Sequence, residues 1–111
     1  MSYELIQEVE LKSKQLDIAV KQLRKSGTDY AEAEKNYKVL LRQESLKLRD
    51  DGMAIGMIDK CVYGIASVAE ARFKRDVAEA VYKANQESIN SIKLQLRLID
   101  SQISREWSVN Q

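Results

Sequence analysis

The chain is predicted to be all-α: an antiparallel helical hairpin, a short connecting helix and one very long C-terminal helix, a coiled-coil-like bundle completed by oligomerisation. Three observations predict it. The 111 residues include no proline, the residue that breaks a helix most severely. Apolar residues recur at three- and four-residue steps, which places them on one stripe of a helix. After "SVAE" at Ser67–Glu70 no glycine or proline follows to the last residue. With 44% hydrophobic and 32% charged residues, the chain has enough apolar material for one modest core, so residues 1–111 read as a single domain.

The first helix is expected over about residues 3–25. Ile6, Val9, Leu16, Val20 and Leu23 keep the three-four spacing, with Ser13 in the open slot. Glu4 suits the positive end of the helix dipole, and Lys21, Arg24 and Lys25 suit the negative end. "SGTDY" then reads as punctuation: Gly27 can stop a helix in the left-handed conformation and Thr28 can cap the next. The second helix is expected over 29–49, with Tyr30, Ala33, Tyr37, Leu40, Leu41 and Leu48 inward. So short a link makes the two an antiparallel hairpin about 33 Å long.

Residues 54–62 read as the short connecting helix. "KLRDDGMAIGMIDKCVYG", Lys47–Gly64, has the outline of the first half of a DNA-reading helix-turn-helix. The next helix, however, opens with Ala, Ser, Val and Glu, and no base-reading side chain arrives before Arg72. The segment is better read as a corner in which Met53, Ile55, Met57 and Ile58 plug the end of the hairpin.

"SVAE" predicts a capping box of Ser67 and Glu70, and a helix over 68–107, about 60 Å long. Ala66, Ala69, Phe73, Val77, Ala80, Val81 and Ala84 form the first half of its apolar stripe. Ile89, Ile92, Leu96, Ile99, Ile103 and Trp107 form the second. The steps between Val77 and Trp107 are mostly fours, so the stripe drifts in the sense opposite to a heptad's, and two successive packing surfaces are expected rather than one coiled coil. A rod of this length overhangs a 33 Å hairpin (about 22 residues per helix) and needs cover from elsewhere. Ile92, Leu96, Ile99 and Ile103 are therefore the expected core of a homodimer or higher oligomer.

Composition narrows the chemistry. The chain has no histidine, which removes histidine general bases, Ser-His-Asp and Cys-His nucleophile pairs and mixed Cys/His zinc sites. Cys61 is the one cysteine and reads as a small hydrophobe. Asp50, Asp51 and Asp59 cluster near the corner, and Asp76 and Glu79 share a helix face. The last pair sits among Arg72, Lys74 and Arg75, the pattern of a solvated ion-pair face. No catalytic residue, metal site or cofactor is expected. The formal charge of +1 gives no field toward nucleic acid or an anionic membrane. Lys93, Arg97 and Arg105 make at most a weak phosphate footprint. No membrane span and no secretory signal are expected.

"YAEAEKNYKVLLRQESLKLRDDGM" and "AEARFKRDVAEAVYKANQESINSIKLQLRLIDSQISREW" resemble a family of small helical proteins encoded by temperate phages and prophages of Gram-positive bacteria. These come from early genes near those for recombination and single-strand-binding proteins. The resemblance covers Tyr30–Trp107 and is most specific in "FKRDVAE" and "KLQLR". It implies a phage protein acting in the bacterial host cytoplasm, and it brings no catalytic or binding residues with it. The expected function is non-enzymatic: inhibition of a host antiviral defence system, such as a CRISPR nuclease, by occlusion or sequestration. The alternatives are an accessory protein of phage DNA replication or recombination acting through protein contacts, and a purely structural helical oligomer. Expected partners are a second copy and a host or phage protein. Leu94, Leu98, Arg97, Arg105 and Trp107 are the candidate anchors.

Overall fold

The computed structural model describes residues 2–109, and every regular element among them is helical. Helix α1 runs Ser2–Asp50, α2 runs Ile55–Cys61, a single 3-10 turn covers Val62–Gly64, and α3 runs Ala66–Val109. The all-α class, the helical hairpin, the short connector and the long last helix are all present. No helix among the described residues is long and apolar enough to cross a membrane.

The expected link at residues 26–28 is absent, because α1 passes through Ser26, Gly27 and Thr28 without a break. The hairpin is therefore made by α1 and α3, and not by two halves of the first 49 residues. Gly27 does not take positive φ; among the glycines only Gly52 does, at 90°. What Gly27 provides is a bare patch of helix backbone. A Cβ built there would lie 3.1 Å from Tyr82 Cε1, so the ring lies close against α1 where a side chain would otherwise stand.

This gives opposite expectations for two glycines. Gly27→Ala gains about 1 kcal/mol of helix propensity, offset by a displacement of a few tenths of an ångström of a tilting ring. The variant is expected to keep full helicity, with urea stability within about 1 kcal/mol of the parent. Gly52→Ala forces an alanine into positive φ and is expected to cost about 1–2 kcal/mol. Equal losses at both positions would revive the reading of Gly27 as a helix stop.

The chain divides into two compact units, Ser26–Tyr82 and Met1–Lys25 with Lys83–Gln111. In the Ser26–Tyr82 unit, α1 ends in a Schellman arrangement: the Gly52 amide donates to the Arg49 carbonyl (3.0 Å) and the Met53 amide to the Leu48 carbonyl (3.1 Å). Met53 and Leu48 both pack on a cluster of Tyr37, Ile58, Val62 and Val68, with Leu40, Leu41, Ile65 and Ala71 around it. The corner plug is thus Ile58 and Met53, joined by Val62. Ile55 and Met57, expected to share that task, face outward. Helix α3 starts at Ala66 after the extended residue Ile65, whose carbonyl accepts from the Ala69 amide (2.9 Å). Ser67 consequently lies inside the first turn and is not the cap that the sequence predicts.

In the other unit, residues 2–25 of α1 lie antiparallel to residues 83–109 of α3. The Asn85 side-chain amide donates to the Gln22 carbonyl (3.4 Å), and Glu8 and Lys12 share a cleft with Gln95, Leu98 and Ile99. Leu5, Val9, Leu16, Ala19 and Leu23 turn inward from α1, against Ile89, Ile92, Leu96, Ile99 and Ile103 from α3. Ile6 and Ser13, expected inward, are exposed, and their neighbours Leu5 and Lys12 are the covered positions instead. The cover that the long helix was expected to borrow from a second polypeptide comes from the chain's own first 25 residues.

Both long helices keep a strict three-four repeat of covered positions. On α1 these are Leu5, Val9, Lys12, Leu16, Ala19, Leu23, Ser26, Tyr30, Ala33, Tyr37, Leu40 and Glu44. On α3 they are Val68, Ala71, Arg75, Ala78, Tyr82, Asn85, Ile89, Ile92, Leu96, Ile99, Ile103 and Glu106. This is the heptad period that keeps one stripe against a neighbouring helix, and it overturns the expectation of a stripe drifting away from it.

Candidate interaction surface

Within Ser26–Tyr82 the seam between α1 and α3 is polar and aromatic. The Tyr30 hydroxyl donates to Glu79 Oε2 (3.1 Å), and that bond to a carboxylate holds the phenol above its ordinary pKa. The Tyr30 and Tyr82 rings meet at 6.0 Å between centroids and 35° between planes. The Arg75 guanidinium carbon sits 4.6 Å from the centre of the Tyr37 ring, within cation–π range. Arg75 donates through Nη2 to Asp76 Oδ1 (2.8 Å), and its Nη1 lies 3.8 Å from Glu34 Oε1. The hydrogen bond to Asp76 raises the guanidinium pKa further. A long side chain can serve this way because its stem lies along the seam while its charged end reaches a ring and two carboxylates.

An arginine on the inner face turns the opposite face outward. Phe73, Val77 and Val81, expected in the core, are 62%, 45% and 49% exposed. Ala66, Ala69, Ala80 and Ala84 are exposed with them. Between Ala66 and Ala80 this outer face has a three-four repeat of its own: Ala66, Glu70, Phe73, Val77, Ala80. A helix with two such stripes is built to meet a neighbour on each.

Two adjoining clefts run along this side of the unit. One, of about 470 Å³, includes Asp29, Glu32, Asn36, Glu70 and Lys74 in its walls. The other, of about 240 Å³, is lined by Ser26, Asp29, Phe73, Lys74, Val77, Ala78 and Val81. They share Asp29 and Lys74 and so form one groove, apolar toward Val81 and acidic toward Glu70.

The five expected anchors are all exposed, Leu94, Leu98 and Trp107 by half or more. At 3.6 residues per turn, Leu94, Leu98 and Arg105 fall on one side of α3, Arg97 at its edge and Trp107 well away, so the five do not form one patch. Of the expected oligomer core, Ile99 is buried and Ile92, Leu96 and Ile103 are half-buried inside the chain's own unit. The outer stripe at Phe73 was missed because apolarity chose the face. The strict repeat through Arg75 and Asn85 was the signal that would have found the inner one.

The carboxylates considered for a metal site have other neighbours: Asp76 takes the Arg75 bond, and Glu79 takes the Tyr30 hydroxyl. Asp50, Asp51 and Asp59 are exposed, and among the described residues no three metal-ligating side chains converge. Comparison of the chain with protein-family models, curated proteins and solved structures finds no match.

Proposed function

We propose that the protein is a non-enzymatic, phage-encoded binding protein that inhibits a host antiviral defence system, such as a CRISPR nuclease, by covering a working surface of its target. The observation that carries the binding role is the exposed row Phe73, Val77, Val81 above a groove, on a helix whose inner seam is already filled. Chemistry has little to work with, since there is no histidine and the nearest paired carboxylates are engaged by Arg75 and Tyr30. Phage origin and the defence target rest on the resemblance of Tyr30–Trp107 to phage early proteins.

The test is phage plating on a host that carries an active CRISPR nuclease and expresses this protein. Expression is expected to restore plating by more than tenfold, and Phe73→Asp with Val77→Asp is expected to abolish the effect while helicity by circular dichroism is kept. Two uncompensated carboxylates in the partner's contact cost enough for such a loss. Unrestored plating with well-expressed parent protein overturns the inhibitor reading. Retention of labelled single-stranded DNA at about 150 mM salt, where weak phosphate contacts are screened, would favour the replication and recombination alternative, since Lys93, Arg97 and Arg105 are exposed.

A further inference from the structure

The groove of the Ser26–Tyr82 unit specifies its occupant more closely than the apolar row alone. Resting on the binding role proposed above, we infer that it receives a basic amphipathic α-helix of a partner protein. The geometry calls for a helix. Ala66, Glu70, Phe73, Val77 and Ala80 repeat on three-four steps, and such a row accepts the ridges of a second helix at a shallow crossing angle. Alanines at the two ends let the backbones approach, and Phe73 with Val77 fills the middle. From Ala66 to Ala80 the row is about 21 Å long, which matches about 15 residues of partner helix.

Charge selects among helices. Around the two clefts stand Asp29, Glu32 and Glu70 against Lys74. Glu32 and Glu70 alone outweigh the one ammonium, so the sign does not depend on Asp29. A partner with lysine or arginine beside its apolar stripe meets opposite charge at the rim, whereas a second copy presenting this same groove brings like-charged rims together. The apolar row supplies affinity and the carboxylates supply the choice of partner.

Two synthetic 18-residue amphipathic helices test this, identical in their leucine seam, one flanked by lysines and the other by glutamates. Binding to the full chain is followed by fluorescence anisotropy at about 150 mM salt. The lysine peptide is expected to bind about tenfold or more tightly than the glutamate peptide. Glu32→Lys with Glu70→Lys is expected to reverse that order, and Phe73→Asp to remove both bindings with helicity intact. Equal binding of the two peptides, or an order unmoved by the charge reversal, overturns the basic partner while leaving an apolar binding face standing. Binding of neither peptide overturns both. Sedimentation showing a dimer that Phe73→Asp dissociates gives the groove to a second copy and likewise overturns the inference.

Discussion

Val68→Asp is expected to lower the thermal midpoint of the chain by roughly 15–30 °C, while Ala69→Asp, one residue on, leaves it within a few degrees. Val68 is fully enclosed at 0% exposure, among Tyr37, Ile58 and Val62, and Ala69 is exposed. Removing the valine forfeits about 1.5–3 kcal/mol of burial, and an uncompensated carboxylate in that cluster adds a desolvation cost of similar or greater size. The position lies in the first turn of α3, so the helix dipole returns some of this, about 0.3–1 kcal/mol. That return is too small to decide the outcome, and Ala69→Asp receives it as well. A net loss of about 4 kcal/mol is a large part of the 5–15 kcal/mol that holds a domain folded. Melting followed by circular dichroism separates the two variants, and coincident melts would mean that Val68 is not where the corner closes.

Ile89→Ala with Ile99→Ala should cost about 4–10 kcal/mol together, enough to unfold much of the chain at room temperature. Both residues are buried in the unit formed with Met1–Lys25. Each truncation costs about 2–5 kcal/mol through lost transfer energy and the cavity left behind. Ten residues separate them on α3, about 15 Å, so the two losses should add. Leu94→Ala, on the exposed face, is expected to stay within about 0.5 kcal/mol. The same measurement decides between an internal core and a shared one. If Ile99 faces α1 of its own chain, urea midpoints of the parent and the Ile99 variant are independent of protein concentration. If it closes an oligomer, they rise with concentration.

The class of fold was legible because it follows from local rules: no proline, and apolar residues at helical spacing. The inward set Tyr30, Ala33, Tyr37, Leu40, Leu41 and Leu48 was legible for the same reason. Gly27 was not. In sequence it is indistinguishable from a helix stop, and its actual task is set by Tyr82, 55 residues further along. The same glycine bears on the far end of the chain: because α1 continues through residue 27, its earlier part groups with the end of α3. The outer face of α3 was misjudged for a different reason. A seam lined on one side by Tyr30, Glu34 and Tyr37 favours a guanidinium and a phenol opposite, so the most apolar stripe was not the buried one. The candidate site is the residue of that inversion, visible only once the inner stripe is known.

The Tyr82 ring on bare Gly27 has a further consequence for how the two long helices find their alignment. A heptad seam of ordinary apolar residues is nearly indifferent to a slide of seven, because each knob meets another hole of the same kind. Here a slide of seven would move the ring from Gly27 onto Val20 or Glu34, where a side chain already stands. Within the Ser26–Tyr82 unit, Gly27 and Tyr82 thus act as notch and tooth, favouring one setting of the two helix segments over its nearest imitations. The glycine that looked like an interruption is what indexes the hairpin.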